Sequence, residues 1–246
     1  MYLSWIIPTY REEKRIEKTI REVDGYLRAK NFPGGYEIIV VDSSSPDRTA
    51  EIVLRLKNEF PALLLLRVEN KGKGWGVKQG MLHARGDIRL FADADNSTPP
   101  QYFDGLPPMF NQGCDIVISS RDEKDAPGAS RDVKEPMLRE IMGNGGNLII
   151  QIFGGVWGIW DTQNGFKALT AKAAQDIFPR LLMDGFSFDI EMLTLARKFG
   201  FNIGIIPVKW RFDPDSKVTL ADYIRVLTDV FKIRWNLITN KYRMEK

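Results

Sequence analysis

The 246-residue chain has one cysteine, one histidine and little excess of charge, and each scarcity excludes something. Cys114 alone cannot form an intrachain disulfide, which fits a reducing compartment. A formal charge of +3 is too small for a general nucleic-acid binder, which needs a concentrated basic face. His83 follows Met81 and Leu82 in an expected helix and reads as structural. No basic leader precedes the strand-like run Leu3–Ile7, so no secretory signal is expected. The longest uncharged stretch, between Glu140 and Asp161, is broken by Gly143, Asn144, Gly145, Gly146, Asn147 and Gln151, so no membrane-spanning helix is expected. Two nucleotide-binding fingerprints are also missing. No Gly-Lys-Ser/Thr stands at P-loop spacing, and Pro-Thr-Tyr-Arg-Glu-Glu follows the first strand where a nicotinamide enzyme has its glycine turn.

What remains is an ordinary folded chain, 43% apolar and 27% charged, long enough for one large α/β domain or two small ones. Short Ile/Val/Leu-rich runs at Leu3–Ile7, Glu37–Val41, Leu63–Val68, Ile88–Ala92 and Ile116–Ser119 read as strands. Between them Glu12–Leu27, Asp47–Asn58, Gly74–Ala84 and Gln101–Asn111 carry apolar residues at helical spacing. This alternation predicts right-handed crossovers and a mostly parallel sheet flanked by helices, with its ligand crevice beyond the carboxyl ends of the strands. Further on, a helix is expected from Pro136 towards Phe153, a strand at Phe166–Leu169, a helix at Ser187–Phe199, a strand at Asn202–Pro207 and an amphipathic basic helix at Leu220–Leu237. One face of that last helix is expected on the domain; a basic amphipathic helix can also lie on a bilayer, as can the stretch carrying Trp157 and Trp160. Trp75 and Trp210 read as packing residues.

Asp93-Ala94-Asp95 closes the fourth apolar run and is followed by a turn, Asn96-Ser97-Thr98-Pro99-Pro100. Two carboxylates at a strand end repel one another, and a hard divalent cation, Mg²⁺ or Mn²⁺, relieves that repulsion while leaving positions for phosphate oxygens. The competing reading is a solvated turn with one aspartate capping the next helix. In Asn70-Lys71-Gly72-Lys73-Gly74-Trp75-Gly76, backbone amides and Lys73 at a helix start can face phosphates.

Pro8-Thr9-Tyr10 with Glu12, the run from Val41-Asp42 to Thr49, Gly72-Lys73-Gly74, Ala84-Arg85-Gly86-Asp87 and Asp93-Ala94-Asp95 resemble, in order and spacing, family 2 glycosyltransferases. Ser120-Arg121, Asp161 to Lys167, Phe188-Asp189-Ile190-Glu191 and Ser216-Lys217-Val218 resemble its polyprenyl-phosphate branch, dolichyl-phosphate β-glucosyltransferases first and mannose synthases after them. The likeness spans nearly the whole chain. It implies a GT-A (Rossmann-like) fold over 1–218, with a nucleotide-binding half at 1–120 and an acceptor half at 121–218, followed by the basic helix at 219–246. It implies an inverting, metal-dependent transfer of a hexose, glucose from UDP-glucose ahead of mannose from GDP-mannose, to a polyprenyl phosphate at the cytoplasmic face of a membrane. By the same resemblance Pro8, Tyr10, Glu12 and Asp42 hold base and ribose, Lys73 and Ala94 line the donor site, and Asp93 and Asp95 hold the metal. Arg121, Arg139 and Lys217 meet phosphates, with Arg131 as the substitute for Arg139, and Asp161, Gln163, Asp189 and Ser216 face sugar or acceptor. Three positions depart from the pattern: Ser43 stands where a second acid is usual, Ser97 where mannose synthases have glutamine, and Asn164 where the glucosyltransferase version commonly has cysteine. Asp189 has two readings: it positions sugar or acceptor if the acceptor is a phosphate, and it is the general base if the acceptor is a hydroxyl. A nucleotidyltransferase and a non-catalytic nucleotide-binding subunit are the rival functions.

Overall fold

The computed structural model describes residues 3–30, 32–132, 137–210 and 220–243, with backbone alone for 137–144, 220 and 223. The expected runs form strands β1 (Leu3–Thr9), β2 (Tyr36–Asp42), β3 (Leu63–Arg67), β4 (Ile88–Ala92), β5 (Ile116–Ser120), β7 (Phe166–Thr170) and β8 (Ile203–Pro207). Their spatial order is β3-β2-β1-β4-β7-β5-β8. All neighbours are parallel except β7, which runs against both β4 and β5. Two short strands, β6 (Ser130–Arg131) and β9 (Lys209–Trp210), pair in a separate ribbon.

Side chains alternate across the sheet, so each strand feeds two apolar layers. Trp5, Ile7, Ile38, Val40, Leu90 and Phe166 meet α1 (Ile16–Ala29), α2 (Thr49–Leu56) and the turns around Phe103 and Leu106. Ile6, Ile39, Val41, Phe91, Ile116 and Ile118 face α3 (Lys73–His83), α6 (Ala171–Ile177) and α7 (Phe188–Lys198). Helix α3 lies so close that a Cβ on Gly80 would stand 2.4 Å from the Ile6 side chain. That approach delivers the first residue of α3, Lys73, to the sheet's carboxyl edge.

Three boundaries differ from expectation. Helix α1 begins at Ile16 rather than Glu12, because the chain first turns through Arg11 at φ +58°. Gln101–Asn111 is two elements, a 3₁₀ turn at Pro100–Gly105 and α4 (Leu106–Asn111). Pro107 and Pro108 have no N–H to continue the preceding ladder. Helix α6 has no counterpart in the sequence pattern; Thr170 caps it by accepting from the Ala173 N–H at 3.2 Å.

Helix α5 (Met137–Gly154) and helix α8 (Leu220–Ile238) pack against one another, with Phe153 and Phe231 ring centroids 4.7 Å apart. Helix α8 is apolar on two faces. Val226, Val230 and Ile233 are buried against the domain, whereas Ile224, Phe231, Trp235 and Ile238 are 50–65% exposed.

Candidate active site

Polar residues reach the sheet's carboxyl edge on three adjacent strands, and two of them are acidic. Thr9 at the end of β1 pairs in register with Asp42 at the end of β2, and Asp93 follows β4 directly. Asp42 is fully buried; its carboxylate accepts from the Ser45 N–H at 3.2 Å and meets Arg67 at 3.3 Å. Ser43, also buried, donates its N–H to the Thr9 carbonyl. Pro8 lies one register step inside, beside Val41, and Tyr10 is exposed above with the Arg11 guanidinium 5.2 Å from its ring. The Glu12 carboxylate is 2.7 Å from Arg15 and its N–H is held by Thr49, so Glu12 joins the edge through α1 and α2.

Asp93 is fixed from two sides. Its N–H donates to the Gly165 carbonyl at 3.0 Å, and its carboxylate takes the Lys73 ammonium at 2.6 Å. Burial pushes that ammonium down, yet the carboxylates of Asp93, Asp189 and Asp95 outweigh it and leave the Lys73 pKa raised. Burial and the charge of Asp93 push the Asp95 carboxyl up, against a 2.8 Å hydrogen bond from the Ser97 N–H. Ala94 is buried between them and its carbonyl accepts from Thr19 on α1. Two crowded carboxylates with hard oxygen donors suit a hard divalent cation. Among the described residues no group of three or more His, Cys, Asp or Glu could hold a metal, so a cation between Asp93 and Asp95 would need further oxygens from ligand and water.

The glycine–lysine turn at the start of α3 is closely packed. Gly72, at φ +127°, packs against the Asp184 carbonyl, which a Cβ would approach to 2.5 Å. A Cβ on Gly74 would meet Phe188 at 2.6 Å, and the Trp75 N–H donates to the same Asp184 carbonyl at 3.1 Å. The glycines therefore seat the turn on the 183–188 segment, and Lys73 is the cation they place. Glu191, fully buried on α7, holds that segment by accepting the Leu182 and Met183 N–H groups, each at 2.9 Å, and the Tyr242 hydroxyl.

Asp189, in the first turn of α7, is 3% exposed and takes the Lys167 ammonium on Oδ1 at 2.6 Å. Burial raises its carboxyl, opposed by Lys167 and Lys73. Gln163 donates to the Phe186 carbonyl at 3.3 Å, tying the loop before β7 to the same segment.

The other rim is basic. Arg121, following β5, grips buried Asp161 through Nε and Nη2, both at 2.7 Å, and through its N–H at 2.8 Å. Its guanidinium stands 5.3 Å from the Trp210 ring, and Arg131 pairs in register with Trp210 across the β6–β9 ribbon. Asp125 braces the loop by accepting from the N–H groups of Trp160 and Asp161. Arg121, Arg131 and Asp161 thus converge. The Arg139 side chain, Ser216 and Lys217 lie outside the described residues.

Burial alone would raise the Asp161 carboxyl, but Arg121 beside it brings the pKa down to about 2. A carboxyl depressed below its unfolded value of about 3.9 stabilises the fold above that pH, and the contribution is lost as pH falls through about 2. The contribution is about 2 kcal/mol at neutral pH. Arg121→Met strands the buried charge and is expected to destabilise by about 3–5 kcal/mol near pH 7. Urea unfolding across pH checks this: the gap to wild type should narrow towards pH about 3. A gap that stays constant with pH would show that the pair's charge contributes nothing.

Residues 163–167 bring two groups for which sequence reasoning supplied no role, Gly165 and Lys167. In sequence they are only members of the run from Asp161 to Lys167; the Gly165 carbonyl receives the Asp93 N–H, and the register Phe91↔Lys167 sets the lysine two residues further along the same strand pair.

The family description Glycosyl transferase family 2 matches residues 4–178. The dolichyl-phosphate beta-glucosyltransferase ALG5A of Trichomonas vaginalis is 35% identical over 244 residues, 95% of this chain and 73% of the relative. The dolichyl-phosphate beta-glucosyltransferases of Saccharomyces cerevisiae and Homo sapiens are 33% and 31% identical, covering 100% and 99% of this chain and 78% of each relative. In fold the chain is similar to mannosyl-3-phosphoglycerate synthase from Rubrobacter xylanophilus, with a TM-score of 0.70 at 17% identity over 100% of this chain and 76% of that one. Glucosyl-3-phosphoglycerate synthase from Mycobacterium tuberculosis, solved with Mn²⁺, uridine diphosphate and phosphoglyceric acid, gives 0.69 at 15% identity over 100% and 80%. With a family match over residues 4–178 and relatives above 30% identity along nearly its whole length, the chain belongs to glycosyl transferase family 2.

Proposed function

We propose that the protein is an inverting, divalent-metal-dependent hexosyltransferase that moves glucose from UDP-glucose to a polyprenyl or dolichyl phosphate. The observation that carries this reading is the charge layout of the cleft. Acids and one lysine cluster at the sheet edge (Asp93, Asp95, Asp189, Lys73), and the opposite rim presents Arg121 and Arg131. The names of the relatives supply the sugar and the lipid.

Asp93 and Asp95 would hold Mg²⁺ or Mn²⁺, which when bound supplies positive charge to the donor diphosphate. Lys73, on the Asp93 side, adds a second cation where the leaving nucleotide gains charge, and such charge complementarity lowers the barrier most in the transition state. Asp42, Pro8, Tyr10 and Glu12 form the wall for base and ribose. Arg121, held rigid by Asp161, and Arg131 meet the acceptor phosphate. A phosphate oxygen is already anionic at neutral pH and needs no base. Asp189, buried and bound to Lys167, is suited to orient a sugar hydroxyl or the acceptor, which favours the phosphate reading over a hydroxyl acceptor.

A lipid acceptor places the enzyme at the cytoplasmic face of a membrane as a peripheral protein. Among the described residues no helix is long and apolar enough to cross a membrane. The outward face of α8, with Ile224, Phe231, Trp235 and Ile238 exposed and Arg225, Lys232 and Arg234 beside them, supports lying on a bilayer.

The test is transfer of labelled glucose from UDP-glucose, with GDP-mannose in parallel, to polyprenyl phosphate in vesicles and to water-soluble hydroxyl acceptors. Label is expected in the lipid only. Trp235→Glu should lower transfer to the vesicle-embedded acceptor by about tenfold, the effect of losing one buried aromatic anchor, and leave a short detergent-dispersed acceptor unaffected. Label on hydroxyl acceptors alone would overturn the reading.

A further inference from the structure

Lys167 sits where a lysine is least expected. It occupies the middle of the sheet, in register with Phe91 on β4 and Ile118 on β5, and its side chain is 0% exposed. The Phe91 ring lies 5.5 Å from its ammonium, and Phe91 itself packs on Phe188, 5.6 Å between centroids. An apolar side chain would fill that layer without loss, and an ion pair removed from water generally contributes less to stability than well-packed hydrocarbon of the same volume. A buried lysine kept at such a position points to a role beyond packing.

Its contacts indicate what the role is. The ammonium donates to Asp189 Oδ1 at 2.6 Å and to the Asn164 carbonyl. Asn164 precedes Gly165, whose carbonyl receives the Asp93 N–H at 3.0 Å. One cation therefore joins the start of α7 to the strand edge that carries the acidic pair. The charged groups acting on Asp189 are Lys167 from β7, Lys73 from α3 and Asp93 after β4.

We propose that Lys167 is a positioning residue for the transfer: it holds Asp189 as an oriented carboxylate on the floor of the cleft and acts on the substrates only through it. The inference rests on the reading above, in that Asp189 orients donor sugar or acceptor instead of removing a proton. With Oδ1 held by an ammonium, Asp189 is a well-directed hydrogen-bond acceptor. A side chain freed by as little as 1 Å loses that direction, at a cost of about 100-fold in rate.

The experiment is a double-mutant cycle in the intact chain, using Lys167→Met, Asp189→Asn and both together, with kcat, the KM for UDP-glucose and thermal unfolding measured for each. Lys167→Met is expected to lower kcat about 100-fold while KM changes no more than about threefold, since the nucleotide is held elsewhere. Asp189→Asn should behave alike, and the double variant should be no slower than either single one, because the two residues act as a unit. Thermal stability, lowered in Lys167→Met by the stranded carboxylate, should return in the double variant while the rate does not. Rate recovering together with stability would show a purely structural pair and overturn the proposal. So would losses that multiply in the double variant, or a folded Lys167→Met with wild-type kcat. If Lys167→Met does not fold, the double variant, compared with Asp189→Asn, still decides between recovered and unrecovered rate. Failure of the wild type to glucosylate polyprenyl phosphate in the same assay would count against the functional reading itself.

Discussion

The Asp93→Ala/Asp95→Ala double variant is expected to lose at least about 1,000-fold in transfer and all metal dependence of UDP-glucose binding, which calorimetry with and without chelator would measure. The magnitude follows from what each carboxylate does at the site. Asp95 is forced into a buried position beside a like charge, where burial and Asp93 both disfavour its ionised form. Lys73 beside Asp93 and the Ser97 N–H offset that repulsion only in part, and a bound divalent cation would relieve it further. A single Asp95→Asn change should therefore leave the metal-free protein no less stable than wild type, since the variant removes a repulsion, while transfer still collapses. Stability and activity moving in opposite directions is the signature of a binding carboxylate. If donor affinity is unchanged by chelator and by both alanines, the acidic pair is a capping turn and nothing more.

Gly165→Ala is expected to be nearly as severe although it touches no charged atom. An added Cβ would stand 2.0 Å from Asp93 Oδ2, 2.3 Å from Cγ and 2.7 Å from Oδ1. Neither neighbour can yield cheaply. The Gly165 backbone is fixed by the Asp93 N–H and by the pairing of the following residue with Ala92, and the carboxylate is anchored by Lys73 at 2.6 Å. The side chain must leave its place, so metal-dependent donor affinity should fall about 100-fold, while overpacking lowers stability by only about 1–3 kcal/mol. Isothermal titration with UDP-glucose and Mn²⁺, set beside thermal melts, separates the two effects. Gly25→Ala supplies the contrast. Its Cβ meets nothing within 4 Å inside α1, and removing a helical glycine should stabilise by about 0.5–1 kcal/mol with binding intact. Donor affinity unaltered in Gly165→Ala would mean that Asp93 does not need its observed position.

The contrast between these sites bears on what the amino-acid sequence reveals. The parallel strands are legible because a strand buried on both faces must be a continuous apolar run, as in Leu3–Thr9 and Tyr36–Asp42. Asp42, Asp93 and Asp95 are legible because such runs end at polar residues that the crossover rule sends to one edge. The direction of β7 is not, because Phe166–Thr170 has the same apolar character whichever way it runs. Lys167 is hidden for a related reason: one lysine among apolar neighbours reads as a solvated side chain until register shows what covers it. Helix α6 is only seven residues long and α4 six, too short for a 3.6-residue period to repeat. The two-faced apolarity of α8 is apparent as composition, but which face is covered depends on α5 and α7, which periodicity alone does not place.

The reversed strand has one more consequence. Because β7 opposes its neighbours, its beginning rather than its end lies beside the close of β4, and the polypeptide reaches the cleft while still travelling from residue 155 to residue 165. That incoming segment joins no pair of parallel strands, so its length can change without shifting any crossover that sets the nucleotide wall. Descendants of this scaffold could exchange acceptors there while leaving donor recognition intact, and laboratory libraries aimed at acceptor range belong at exposed Trp157 and half-buried Trp160, clear of the core residues Val156 and Ile159, of Asp161 and its grip on Arg121, and of the tight geometry at Gly165.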